Sequence, residues 1–522
     1  ADGEAVAELC ARLDGLPLAL ELAAVRLRAL SPRQVLERLG DRFRLLTGGD
    51  PTAPPRHRAL RTAIGWSHEL CTPAQRLLWA RLSVFAGRFD LDAVEYVCAT
   101  GGPDEDLAAT VADLVAQSVL CREEAPDGQV RYRMLAGLRE YGAEWLSRLG
   151  EQARIRRRHR DWYLGLATWC ELDWFGPRQA EVAARVTAEL PDLRLALEFS
   201  LDGCDGEPDG DPAVGQYLAG ALWFCWVGCG RLAEGRHWLE RALDASDEPG
   251  PARVKAMWVY GYVTVLQGDS AAALAVLEEC RDLAGAAGDR AAEAYALHRL
   301  GCLALVCDDM PRAERIIGDA LLRYRTIGEL NSNVLMGQVE LAMAVAFQGD
   351  VERAVELAEE VRRICRDHGE RWALAYALYV LAYAAWLAGE PARARRLAEE
   401  SLALDHAFHD LVGAVLALEL LALITEVEGA PYEAAVLQGA AGRLWESVGL
   451  RLFGSRYFNA PHAVCEARVR ARLGSACYGD ALREGARLAF DEAVRRALAP
   501  RDRPRAPGQA LLPRSRTRGQ RA

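Results

Sequence analysis

The sequence predicts a mainly α-helical chain, the larger part of it a solenoid of stacked helix pairs. Three observations predict it. Six turns between Gly230 and Ala434 share one layout, a small or acidic pair with a small residue five positions on: Gly230-Arg231, Gly268-Asp269, Asp308-Asp309, Gly349-Asp350, Gly389-Glu390 and Gly429-Ala430. Their spacings are 38, 40, 41, 40 and 40 residues, and a fixed period of this size means stacked supersecondary units. A second small residue stands twelve positions before each of the last five: Gly261, Gly301, Ala342, Ala382 and Ala422. Finally, Ala, Leu, Arg and Glu dominate the composition, and all four favour helix.

Each unit reads as helix A, a Gly-Asp turn and helix B. Helices cross closely only where both lack bulk, which is the reason for the paired small positions. A second turn series, Gly288-Asp289, Gly328-Glu329, Gly369-Glu370 and His409-Asp410, separates the units. These units resemble tetratricopeptide repeats, with a period near 40 in place of about 34. The array is expected over residues 213–445, followed by C-terminal helices over 446–500.

At the N-terminal end, residues 4–30 read as a helix pair joined at Asp14-Gly15-Leu16-Pro17, and Ser31-Pro32 starts another helix with a cap and a first-turn proline. Taken alone, GLPL is a Gly-Pro turn between core helices. Together with residues 46–98 (LTGGDPTAPPRHRALRTAIGWSHELCTPAQRLLWARLSVFAGRFDLDAVEYVC), it resembles the NB-ARC module of bacterial STAND-class ATPases, the large LuxR-type or related transcription regulators. The resemblance implies that residues 1–50 are an NB-ARC helical subdomain in which Gly15, Leu16, Pro17 and Leu18 contact nucleotide. It also implies ATP or ADP as the cofactor of intact relatives, with none expected in this chain.

Residues 51–150 are expected to form a winged-helix adaptor. After the Pro/Gly-rich linker 47–55, residues 56–100 give three short helices, with Thr72-Pro73-Ala74-Gln75 as a helix start, and 107–118 give another. VLCREE and QVRYRML then flank a hairpin turn at 125–128. The helix that would enter a DNA groove, DLAATVADLVAQSV, carries Asp106, Asp113 and Gln117 but no basic residue, so an intramolecular spacer is expected. Relatives place a Met-His-Asp phosphate sensor after the hairpin; here Met134-Leu135-Ala136 lacks the His and Asp, leaving Arg131 or Arg133 as neighbours of a phosphate. Residues 151–212 read as a helical linker. Its basic run Arg154–Arg160 reads as a solvated face and its acidic loop 202–212 as a surface connection without EF-hand spacing.

The net charge of −11 argues against a chain that coats nucleic acid. Residues 501–522 carry seven Arg and one Asp and read as a disordered tail. Lys255 is the only lysine, the arginine preference of a GC-rich coding sequence. Fourteen Cys without a CxxC pair read as buried thiols, and the scattered His as surface or capping residues. With no signal peptide or spanning apolar run, a cytoplasmic protein with no membrane partner is expected. No GxxxxGK[ST], HExxH or GxSxG is present, so no enzyme and no metal site are expected. By resemblance, the P-loop would precede this segment and a DNA-binding output domain would follow Gly485–Ala499, so DNA would be reached only through that further domain.

Two functions follow. One is the signal-sensing part of an ATP-switched transcription regulator, taking a protein, peptide or small-molecule signal in its repeats. The other is a stand-alone repeat scaffold for protein–protein interaction. In both, helix A aromatics are the candidate partner site: Trp258, Tyr262, Tyr295, His298, Tyr376, Tyr379, Tyr383 and Trp386. The alternative for each is packing between repeats. The last four share one helical face and are the leading groove candidates.

Overall fold

Five helix pairs build the repeat array, and the way they are packed follows from their sequences. In the computed structural model the described residues are 2–12, 20, 23–24, 27, 30–37, 60–99, 106–124, 128–203 and 210–499. Gly15, Leu16, Pro17 and Leu18, the linker 47–55, His57 and the segment 501–522 lie outside them.

In chain order, α1 (Asp2–Arg12), α2 (Pro32–Glu37), α3 (Leu60–Leu70), α4 (Pro73–Leu82), β1 (Arg88–Phe89), α5 (Leu91–Cys98), α6 (Leu107–Ala116), β2 (Leu120–Glu124), β3 (Val130–Met134) and α7 (Ala136–Arg148) form the N-terminal third. Thr72 and Gln75 form a reciprocal capping box at the start of α4, with Pro73 in the first turn. The three strands pair antiparallel in the order β1-β3-β2, in the register Phe89↔Tyr132 and Arg122↔Tyr132. The hairpin was legible in the sequence; the two-residue β1 was not, being too short to show alternation. Two long helices, α8 (Gln152–Asp173) and α9 (Gln179–Asp202), follow, then α10 (Pro212–Ala221), α11 (Trp223–Gly228) and α12 (Leu232–Ala245).

The five units are α13 (Pro251–Gln267) with α14 (Ser270–Ala287), α15 (Arg290–Val306) with α16 (Met310–Ile327), α17 (Ser332–Phe347) with α18 (Val351–His368), α19 (Trp372–Leu387) with α20 (Pro391–Phe408), and α21 (Leu411–Val427) with α22 (Pro431–Val448). Every turn of both predicted series falls at an element boundary. Asp308 (φ 67°) and His409 (φ 60°) hold the left-handed conformation that glycine holds at the equivalent turns of other units. The small positions are where helices touch. A Cβ on Gly261 would stand 2.4 Å from Leu277, and one on Gly301 would stand 2.5 Å from Ile317.

Helices A and B differ in kind. Helix α18 buries one seam, Ala354, Ala358, Val361 and Cys365, and leaves the rest to water. Helix α21 buries every residue from Val412 to Glu426. A helix apolar all round must be covered all round, and the flanks of the array do the covering. On the N-terminal side, Gln179 of α9 donates to Glu370 (2.8 Å) and accepts from the backbone N–H of Arg371 (2.6 Å), while Trp174 lies 6.4 Å from Trp372. The C-terminal side supplies a 3₁₀ turn (Arg451–Gly454), α23 (Arg456–Leu473), α24 (Ser475–Ala486) and α25 (Phe490–Ala497). There Leu450 N–H donates to the Gln267 carbonyl (3.1 Å), Ser455 donates to Asp308 (2.6 Å), and Phe458 meets Phe347 at 5.0 Å. The two flanks take opposite rims: the first closes on the turns that lead into the fourth and fifth units, the second on the turns inside the first three.

Asp410 joins units four and five by capping α21 and accepting from Trp372 (2.7 Å) and Tyr376 (2.9 Å). Burial pushes its carboxyl up to about 6, and burial together with Asp410 raises the neighbouring Asp405 well above the ordinary value. A carboxyl raised in the folded state stabilises fully below its unfolded pKa and loses that contribution as pH rises through the folded one. Asp405→Asn is therefore expected to melt ~2–4 °C above the parent at pH 8 and level with it at pH 4, read by thermal scans across pH. Gly301→Leu should lower the urea midpoint by about 1–3 kcal/mol equivalent with an unchanged m-value, since it overfills a helix crossing.

Candidate functional site

A cavity of about 540 Å³ lies between α8 and the first three A helices. Helix α8 contributes Glu171 and Leu172, α13 contributes Lys255 and Trp258, and α15 contributes Tyr295 next to the Asp289 cap. Trp258 and Tyr295 stack at 4.6 Å with a 13° interplanar angle. The Tyr295 hydroxyl donates to Glu329 (3.0 Å) and accepts from Asn331 (2.7 Å), whose side-chain oxygen caps α17. Lys255 pairs with Glu171 at 2.5 Å and lies 4.7 Å from the Tyr217 ring. Burial raises the Glu171 carboxyl even so, with Lys255 opposing. The site therefore combines an aromatic wall, one internal ion pair and two further carboxylates; the Ser332 hydroxyl on its lining is turned to Glu370 (3.0 Å).

Behind this wall lies a buried polar core. Arg299, fully buried, stacks 3.5 Å from the Tyr262 ring and donates to Asn333. His298 contacts Glu340 at 2.9 Å; burial first, and Arg299 second, hold its pKa below the ordinary value. Of the eight aromatic and histidine candidates, Trp258 and Tyr295 line the cavity, and Tyr262 and His298 support it from within. Tyr376 bonds Asp410, and Tyr379 and Tyr383 border a space of about 20 Å³ closed over by Tyr457, Phe458 and His462. Trp386 packs 5.8 Å from Tyr383. Helix α23 thus lies by Tyr379 and Tyr383, because this part of α19 has no polar face to offer to water. Glu171, Asp289, Glu329 and Asn331 went unread in the sequence. They sit at helix ends and on a helix 80 residues upstream of Lys255, and only the turn series pointed at two of them.

The winged helix is docked, not free. Asp192 of α9 accepts from the backbone N–H groups of Ala86 (2.7 Å) and Gly87 (2.8 Å) and contacts His159 at 3.0 Å. Arg131 on β3 bridges Glu189 (2.7 Å) and Asp90 (3.2 Å). Burial raises Glu189 to about 7 against the pull of Arg131 and Arg185. Arg131 is therefore held by carboxylates from two elements, and Arg133 pairs with Glu123 at 3.1 Å. In the basic run Arg154 and Arg157 are exposed, while His159 is buried and Arg158 caps α5 through the carbonyls of Tyr96 and Ala99. His68 is likewise a core residue, stacked 4.8 Å from Trp145, with its pKa lowered by burial. On α6, the exposed Asp113 accepts from the Gln75 amide (3.1 Å) and the exposed Gln117 donates to it (3.2 Å).

Among the described residues, no His, Cys, Asp and Glu side chains form a group of three or more suited to a metal ion, and no helix is long and apolar enough to cross a membrane. Buried thiols such as Cys170 and Cys225 are pushed up to about 12 by desolvation, so they stay protonated.

Residues 71–147 match the winged helix-turn-helix domain family. Proteins of Mycobacterium bovis and Mycobacterium tuberculosis named "Putative HTH-type transcriptional regulator" are 27% identical to this chain, covering 98% of it and 75% of their own length. An uncharacterized M. tuberculosis protein is 41% identical over 160 residues, 30% of this chain and 40% of its own. Among solved structures, a signal transduction ATPase with a tetratricopeptide repeat sensor from Pyrococcus horikoshii aligns over 91% of this chain and 73% of its own, with a TM-score of 0.41 and 12% identity. The chain thus combines a winged-helix domain of the transcription-regulator type with a helical-repeat region, and no catalytic motif is found among the described residues.

Because Arg131 neutralises a buried carboxylate, Arg131→Met should destabilise the chain by ~3–5 kcal/mol in urea unfolding. Adding Glu189→Gln should restore most of that loss.

Proposed function

We propose that this chain is a non-enzymatic interaction module: a helical-repeat scaffold that receives a partner in the cavity bordered by Trp258 and Tyr295. The observation that carries the reading is that opening itself. The A helices are otherwise covered by the chain's own flanks, and here an aromatic stack borders solvent-accessible space of ligand size. The winged helix acts as an intramolecular spacer in this reading, since its groove-facing helix lacks cations and its wing is tied to α9. Capture by the immobilised chain from a lysate of its own cells is expected to fall about ten-fold for Trp258→Ala or Tyr295→Ala. Arg443→Ala, on the exposed surface of α22, should leave it unchanged. Equal capture by all variants would sink the reading.

The names of the mycobacterial relatives favour a transcription regulator, and a second reading extends this: the chain is the sensing region of a STAND-class, LuxR-type regulator, with Gly15–Leu18 at a nucleotide held mainly by other residues. It predicts that millimolar Mg-ATP leaves the melting temperature of this chain unmoved, while a longer protein containing a P-loop is stabilised.

A further inference from the structure

The cavity carries a charge imbalance that selects its occupant. Three carboxylates line it, Glu171, Asp289 and Glu329, against one cation, Lys255. Lys255 is spent on Glu171. Asp289 accepts only from the Ala292 backbone N–H (2.9 Å), and Glu329 only from the neutral Tyr295 hydroxyl and Asn331 amide. Among the described residues neither has a cation within ion-pair distance. Two anions at this cavity favour positive charge by Coulomb attraction, and the ring wall beside them supplies apolar contact, Trp258 being stacked on Tyr295 with Arg299 5.8 Å from its ring. A second observation concerns shape. Leu172 is 76% exposed and Leu330 44% exposed, and both border the same cavity. The occupant must therefore offer apolar surface next to its cation, which a short peptide segment does and a bare ammonium ion does not.

Resting on the cavity reading above, we infer that the occupant is a peptide segment presenting an arginine or lysine flanked by large apolar side chains. Its cation lies between Asp289 and Glu329 near the Trp258–Tyr295 stack, and its apolar neighbours cover Leu172 and Leu330.

The test uses the full chain and three blocked pentapeptides, Ala-Leu-Arg-Leu-Ala and its glutamine and glutamate counterparts, titrated by calorimetry. The arginine peptide is expected to bind about five- to ten-fold more tightly than the glutamine peptide, with the glutamate peptide weakest. Asp289→Asn with Glu329→Gln should erase that preference while leaving the glutamine peptide's affinity and the melting temperature as they were. Both replacements keep the cap and the Tyr295 hydrogen bond, so folding is not the variable. If the three peptides bind equally and Trp258→Ala weakens all of them, the cavity is a binding site and the charge selection is overturned. If none binds, the charge selection and the cavity reading fall together.

Discussion

The structure depends on one constraint: the A helices of the last two repeat units, α19 and α21, have no polar face. Between Val412 and Glu426 there is no residue that water reaches freely, and leaving such a helix open along a groove would expose apolar surface at a cost of about 25 cal/mol per Å². An open solenoid, with one face of each A helix turned to solvent, is therefore not available to this sequence. The flanking helices α8 to α11 and α23 are required parts of the core. What they do not fill becomes the cavity, and its residues come from both the flank and the array.

The winged helix illustrates how buried charge sets an arrangement. Arg131, Glu189, Asp90, Asp192 and His159 would each be expensive to bury alone. Together they admit one docking geometry of the wing on α8 and α9, because each carboxylate finds its donors only there. Helix α8 then runs from this network, at His159 and Tyr163, to the cavity wall, at Glu171 and Leu172. A rigid helix of 22 residues joins the two regions.

Much of the architecture was legible in the sequence for identifiable reasons. The turn series was readable because left-handed turns demand glycine or its few substitutes, and the helix crossings because Gly261 and Gly301 have no room for a side chain. The hairpin declared itself by the turn residues at 125–128 between two short runs. The fate of the aromatics was harder to read. Tyr376, Tyr379 and Tyr383 have the spacing of a groove stripe, but spacing reports a shared face and not what lies across it; the answer sits in Tyr457 and Phe458, some 75 residues on. The low polarity of WALAYALYVLAYAAWL was the signal that this face is covered. Likewise Arg131 could be placed on a strand from sequence, whereas its partners Glu189 and Asp90 belong to elements that only the tertiary fold brings near.

The two clasps on opposite rims change what kind of object the array is. In an open repeat protein each unit leans only on its neighbours, so the ends can fray and the chain can lose units one at a time. Here Gln179 grips the fourth unit and Ser455 grips the second across many intervening residues. The flanking segments are thus tied to inner units by contacts of long sequence separation, so loosening either flank disturbs the middle. Such a chain should behave less like a spring of independent coils and more like a buckled belt, staying shut as a whole until one of its fastenings gives way.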